Sequence, residues 1–252
     1  REEYIDSLRR QRPAVYMEGE KIDDIVGHPA FKAGIESAAT TFQICQDERY
    51  RDLSRVVSPL VDEEISRWTH LMRDEQDAFA KIKLMLGVGD SPCPCSYRCI
   101  TADVLHAAWA ASYDIDKATG SRYHPNVVEI VKQAQREDWI IGGGFISPKG
   151  DRSKGSEDQT DPDMYLHVVE KRKDGIVVRG AKAHSTAAPY TNMLCVMEIE
   201  FAEDYFVGFF TPVDAEGVTF ICKRGHAPAE SKRLENPVSS KFGGHGESMI
   251  IF

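Results

Sequence analysis

The chain has 252 residues, 42% of them hydrophobic and 28% charged, and its 31 Lys and Arg against 40 Asp and Glu leave a net charge of -9. That length can bury a core for one large domain or two smaller ones. An acidic balance without a basic block excludes a dedicated nucleic-acid binder, and an anionic ligand would need a locally basic patch. No run approaches the ~18 apolar residues of a membrane span. Six cysteines without an N-terminal apolar run do not make a secreted disulfide framework, so the expected location is the cytoplasm.

From the start to Gly87 the pattern is mainly helical. Glu2–Arg10 is an amphipathic helix that ends before Pro13, and Ala14–Lys21 is a short extended piece with a glycine turn. Pro29–Asp47 has helical spacing through Phe31, Ile35, Ala38, Ala39, Phe42 and Ile44. Arg67–Leu86 reads as one or two helices, with Trp68, Leu71, Phe79, Ile82 and Met85 facing inward. His28 and His70 read as surface or capping residues, and Cys45 as core.

The stretch Pro92–Asp116, PCPCSYRCITADVLHAAWAASYDID, opens with Cys93, Cys95 and Cys99 and then takes up helical spacing through Val104, Leu105, Ala108, Trp109 and Ile115. If the helix already runs through the cysteines, Cys95 and Cys99 share one face. Such a pair can hold one corner of a metal centre but cannot complete a four-ligand set. Two buried, inert thiols are the other reading. Tyr123–Glu137, with Pro125 near its first turn, is the next helix. Residues 1–138 are therefore expected to form a helical domain.

At Trp139 the texture changes. Trp139–Ile146 is apolar and rich in glycine, and a polar loop runs to Pro162. Met164–Lys171, Ile176–Ala183, Leu194–Phe201, Phe206–Pro212 and Val218–Lys223 have β character, with Asp174–Gly175 and Asp214–Gly217 as turns. His226–Asn236 reads as a charged surface loop. Residues 139–252 are expected to form an antiparallel β domain, barrel or sandwich. The chain starts at Arg1 and stops inside the apolar run Met249–Phe252, which reads as a fragment or an excised domain.

Three stretches of this half could carry chemistry. In Ser147–Arg152, SPKGDR, Lys149 and Arg152 offer cationic donors and Gly150 admits a close ligand, although the same residues make an ordinary β-turn. In Arg179–Thr186, Arg179, Lys182 and His184 are expected on one strand face, and His184, Ser185 and Thr186 place donors at a strand end; a solvated face is the alternative. In Phe242–Glu247, FGGHGE, Glu247 precedes an apolar strand as a poised carboxylate, or as a solvated one after a glycine turn.

Taken together, EEYIDSLR with VYMEGEKIDD, the C-x3-C helix, SPKGDR, VEKRKDGIVVRGAKAHST and FGG followed by Glu247 and an aliphatic strand resemble the 4-hydroxyphenylacetate 3-hydroxylase family of flavoproteins. The resemblance covers essentially the whole chain. Within the family it is to the acyl-CoA dehydratase branch, which the cysteine pair separates from the aromatic hydroxylases. It implies an α+β fold like that of acyl-CoA dehydrogenases: an N-terminal helical domain, a β domain, and a C-terminal helical bundle that this chain lacks.

The resemblance further implies FAD and a [4Fe-4S] cluster. Cys95 and Cys99 match two thiolate ligands of the cluster, whose other ligands lie in the absent bundle. Phe145 to Arg152, including Ser147, Lys149, Gly150 and Asp151, and His184 to Ala187, including Ser185 and Thr186, match segments that hold FAD. Glu247 matches an active-site glutamate, and Thr186 lies near the flavin ring. Tyr97 stands between the cysteines where the dehydratase branch has glutamine, and is taken as a candidate catalytic residue. GGHGE carries one residue more than the family's GGQE. The implied reaction is dehydration of 4-hydroxybutyryl-CoA to crotonyl-CoA, with vinylacetyl-CoA isomerisation, through a flavin-generated radical in a homotetramer. Cofactor chemistry of this kind leaves binding, orientation and electrostatics to the protein. Two alternatives stand beside it: an FAD-dependent aromatic monooxygenase of the same family, and an inactive fragment that only binds.

Overall fold

The computed structural model describes residues 1–89, 98–199, 202–223 and 246–252. The chain divides into two compact units, one of residues 1–4 and 36–141, the other of residues 5–35 and 142–252. The architecture is mixed α and β.

Helices dominate the first unit. α1 (Glu2–Arg10) and α2 (Pro29–Ile44) each contribute part of their length to it. α3 (Arg51–Ser54), α4 (Glu75–Gly89), α5 (Arg98–Thr119) and α6 (His124–Glu137) follow. The sequence reading missed a hairpin here, formed by β3 (Arg55–Ser58) and β4 (Glu63–Ser66). Cys45, Trp68, Leu84 and Val88 form a buried cluster, which agrees with Cys45 as a core residue.

The inner face of the Arg67–Leu86 stretch differs from the expected one. The helix starts only at Glu75, and Phe79, Ile82 and Met85 point to solvent, Phe79 being 60% exposed. Asp77, Lys81, Leu84 and Val88 face inward instead. The cause is electrostatic. Asp77 accepts from Arg67 Nη1 at 3.0 Å, from Arg73 Nε at 3.0 Å and from the Arg73 amide at 3.1 Å, and it pairs with His70 Nε2 at 3.0 Å. Burying a carboxylate requires such partners, and they sit in the turn before the helix. Asp74 holds that turn by accepting from the Asp77 amide at 3.0 Å, a helix-capping contact. His70 is therefore a buried member of an ion cluster, neither on a helix nor at the surface. His28 does cap: its Nδ1 accepts from the Ala30 amide at 3.3 Å.

Arg98 explains where the described part of α5 is anchored. Its side chain is fully buried, pairs with Asp138 just past α6, donates to Ser66 Oγ at 3.3 Å and lies 4.3 Å over the Phe42 ring. The buried face of α5 continues through Thr101, Ala102, Val104, Leu105 and Ser112, while Ile115, the last residue of the apolar spacing, is exposed.

The second unit is built on sheets. β1 (Ala14–Met17) and β2 (Glu20–Ile22) come from the N-terminal stretch. β5 (Ile141–Gly144), β6 (His167–Arg172), β7 (Gly175–Arg179), β8 (Ala181–Thr186), β9 (Met193–Ile199), β10 (Phe206–Pro212), β11 (Thr219–Cys222) and β12 (Glu247–Ile251) follow. One five-stranded sheet has the order β2-β1-β11-β12-β8, and a three-stranded one the order β10-β9-β5. Among the described residues neither sheet closes into a barrel. The larger sheet is also not purely antiparallel, because β1 pairs β11 in parallel.

The Asp174–Gly175 turn joins β6 and β7 as a hairpin, as expected. The expected strand Ile176–Ala183 breaks in two at Gly180, where φ is +128° and a Cβ would meet Tyr165 O at 2.4 Å. Only glycine tolerates that combination. No described helix is long and apolar enough to cross a membrane. The expected loop His226–Asn236 lies outside the described residues.

Candidate functional site

The site is assembled where β8 ends beside the start of β12. Glu247 and Thr186 are direct neighbours in the register, and Thr186 Oγ1 donates to Glu247 Oε1 at 2.8 Å. The backbone is locked around this pair. The Ala187 amide donates to Gly246 O at 2.9 Å, and Ser248 Oγ donates to Ser185 O at 3.0 Å. Among the described residues, the Ser185 hydroxyl and Glu247 Oε2 are buried polar atoms without a partner. Leaving such groups unmet costs stability; Ser185 faces inward with Ser248, whereas Glu247 Oε2, in the other row with Thr186, marks a place where a ligand can meet it.

The strand end is also irregular. His184 and Ala187 both have left-handed backbones, with φ of 55° and 61°. Ser248 faces Ser185 and Ile250 faces Lys182, so two steps along β12 match three along β8, a bulge. Arg179 and Lys182 are three residues apart, which already puts them on opposite faces of a regular strand, and the bulge separates Lys182 from His184. Arg179 and His184 are exposed, whereas Lys182 is fully buried. A two-residue period cannot persist through the Gly180 break and an inserted residue.

Outward-facing residues continue the site across the sheet. β11 and β12 alternate, with Phe220, Cys222, Ser248 and Ile250 inward, and Ile221 opposite Met249 outward. Tyr16 on β1 pairs with Ile221 in the same row. Glu247 and Met249 are two residues apart and so project from one face. The face thus combines a carboxylate, a hydroxyl and a partly exposed apolar strip.

The Ser147–Arg152 segment is tied to β8. The Ala183 amide donates to Ile146 O at 2.7 Å. Ser147 Oγ donates to Glu198 Oε2 at 2.6 Å and accepts from Lys182 Nζ at 3.1 Å. Lys182 and Glu198 form an ion pair at 2.7 Å with side chains 0% and 2% exposed. The space a Cβ would need at Gly150 is taken by Gln159 and Met164 of the chain itself. Gln159 also bonds the Asp151 backbone in both directions, accepting at 2.9 Å and donating at 3.0 Å. Phe145, Lys149 and Arg152 stand exposed.

The sequence reading did not single out Glu198. The available signal was phase: Glu198 follows Leu194 and Val196 at two-residue steps on β9, and both of those are fully buried. A carboxylate in that phase needs a buried cation, and Lys182 is it.

Of the expected cluster ligands, Cys99 lies in the first turn of the described α5, half-buried, and is not in a disulfide. Cys95 and Tyr97 lie outside the described residues, as do Phe242 to His245. Cys99 belongs to the first unit, and the Thr186–Glu247 pair to the second. Among the described residues, no three His, Cys, Asp or Glu gather as a metal site.

This chain has similar counterparts among known proteins. It is 36% identical over 260 residues to the 4-hydroxybutyryl-CoA dehydratase/vinylacetyl-CoA-Delta-isomerase of Clostridium aminobutyricum, covering 100% of this chain and 52% of that protein. It is 26% identical over 268 residues to the oxygenase component of 4-hydroxyphenylacetate 3-monooxygenase from Geobacillus sp., covering 99% and 51%. An oxygen-tolerant archaeal 4-hydroxybutyryl-CoA dehydratase from N. maritimus superposes with a TM-score of 0.88 at 30% identity, over 99% of this chain and 50% of that one. The FAD complex of a 4-hydroxyphenylacetate 3-monooxygenase oxygenase component shares the fold, with a TM-score of 0.81 at 22% identity over 100% and 52%. The chain therefore spans about half the length of these relatives. The family description 4-hydroxyphenylacetate 3-hydroxylase, N terminal, matches residues 1–252. The chain belongs to the 4-hydroxyphenylacetate 3-hydroxylase family and matches its N-terminal region throughout.

Proposed function

We propose that this chain provides the flavin-binding part, and two cluster ligands, of an FAD- and [4Fe-4S]-dependent enzyme that dehydrates 4-hydroxybutyryl-CoA to crotonyl-CoA and isomerises vinylacetyl-CoA. The observation that supports it most is the 36% identity to the clostridial dehydratase over the whole chain, against 26% to the monooxygenase component. The fold is read as acyl-CoA-dehydrogenase-like, the assembly as a homotetramer, and the location as the cytoplasm.

The residues present suit a flavin. Glu247 Oε2 awaits a partner, Lys149 and Arg152 are free to meet a diphosphate, and the Met249–Ile221 strip suits a flat apolar ring. When bound, FAD would supply one-electron chemistry that makes a weakly acidic proton removable. Thr186 would hold Glu247 Oε1 and leave Oε2 to take or return a proton, or to orient the substrate hydroxyl. The buried chain around the pair would keep water from the carboxylate. Cys95 and Cys99 would hold one side of the cluster, which would supply Lewis acidity for the loss of the substrate hydroxyl.

The test is anaerobic purification of the intact protein, with flavin and iron assays and turnover of 4-hydroxybutyryl-CoA. Flavin together with stoichiometric iron is expected. Cys99→Ala should lose the iron and retain the flavin. Flavin without iron, combined with oxygen-dependent hydroxylation of a phenol by reduced flavin, would reject the dehydratase in favour of the monooxygenase.

A further inference from the structure

We propose that Lys182 and Glu198 are positioning residues that fix the Ser147–Arg152 loop against the Thr186 end of β8, and so set the affinity for the flavin. The inference rests on the flavin reading above and adds residues that reading does not use.

Three contacts form a closed ring. Lys182 Nζ donates to Glu198 Oε2 at 2.7 Å and to Ser147 Oγ at 3.1 Å, and Ser147 Oγ donates to the same carboxylate oxygen at 2.6 Å. Each polar atom is held by the other two. The ring joins the two larger sheets of the second unit, since Lys182 lies on β8 of the five-stranded sheet and Glu198 on β9 of the three-stranded one. Ser147 opens the loop that carries Lys149, Gly150 and Arg152. Its neighbour Ile146 is held from the next residue of the same strand, because the Ala183 amide donates to Ile146 O at 2.7 Å. Two consecutive residues of β8 therefore hold Ile146 and Ser147, the two residues at the entry to the loop. Four residues on from Lys182, the same strand reaches Thr186 and its bond to Glu247.

Stability alone does not account for two charges at this place. A buried ion pair gives little net stabilisation over an apolar pair of similar size, because desolvation consumes the attraction. A hydrophobic pair would fill the volume but could not hold the Ser147 hydroxyl in one direction. What the charges add is geometry. Neither residue touches the ligand face: Lys182 points inward, on the opposite side of the sheet from Met249.

The experiment uses the intact protein and four forms of it: the parent, the double variant Lys182→Met with Glu198→Leu, Ser147→Ala, and Ser147→Thr. Three quantities are read: the FAD dissociation constant from flavin fluorescence, the visible circular dichroism of bound flavin, and the melting temperature of the apoprotein. The double variant should melt near the parent but bind FAD about tenfold more weakly or worse. Ser147→Ala should shift affinity and dichroism the same way, and Ser147→Thr, which keeps the hydroxyl, should restore both. If the double variant does not fold, Ser147→Ala decides. A folded double variant or a folded Ser147→Ala with the parent's affinity and dichroism overturns the inference. A parent that binds no FAD overturns the flavin reading itself, which is a different result.

Discussion

Thr186 and Glu247 face each other across β8 and β12, and the threonine hydroxyl donates to one oxygen of the glutamate at 2.8 Å while the other oxygen has no partner among the described residues. The two lie 61 positions apart in the chain. Strand pairing brings them together, and the sheet face they share also carries Met249 and Ile221.

This arrangement predicts unequal effects of substitution. Glu247→Gln keeps the shape but cannot accept a proton, so if Glu247 moves a proton as proposed, kcat should fall about 10²–10⁴-fold with flavin content unchanged. Thr186→Val frees the carboxylate to rotate, and kcat should fall about tenfold, one interaction of ~1.4 kcal/mol. Steady-state kinetics beside flavin absorbance separate the two. Equal kcat values for Glu247→Gln and the parent would remove Glu247 from the chemistry.

The Asp77 cluster predicts how stability depends on pH. Burial works to raise the Asp77 pKa, but hydrogen bonds from Arg73 and His70 outweigh it and hold the carboxyl well below the usual range. Asp77 therefore contributes stability above its unfolded pKa of ~3.9, and that contribution drains away as pH falls through the folded value. His70 is displaced downward from 6.5, chiefly by burial and against the pull of Asp77. Protons then favour the unfolded chain, so stability also declines as pH drops below that value. Urea melts from pH 7 to pH 2 should show the His70 decline and the onset of the Asp77 one. Asp77→Asn should cost about 3–5 kcal/mol at pH 7 and flatten the lower one.

Which face of α4 is the core can be tested directly. Leu84 is fully buried and Phe79 is 60% exposed. Leu84→Ala should cost about 2–5 kcal/mol in a chemical melt, and Phe79→Ser within about 0.5 kcal/mol. A larger loss for Phe79→Ser would restore the face that hydrophobic spacing alone suggests.

The amino-acid sequence determined what depends on neighbours along the chain. The helices Glu2–Arg10, Pro29–Ile44 and His124–Glu137 follow from local spacing, and the β6–β7 hairpin from Asp174–Gly175. It also determined the family, because the SPKGDR and GIVVRGAKAHST segments are runs of residues that need no fold to be read. Tertiary structure decided the rest. α4 turned its apolar residues outward because a buried carboxylate had to meet Arg67, His70 and Arg73. β8 lost its alternation because Gly180 and the bulge shifted its phase. Ser147, Lys182 and Glu198 met because β8, β9 and the start of the loop converge, and nothing local to any one of them names its partners. Spacing reports periodicity within an element. Which charges share a dry interior is settled only when distant elements close over them and the cost of desolvation selects their pairing.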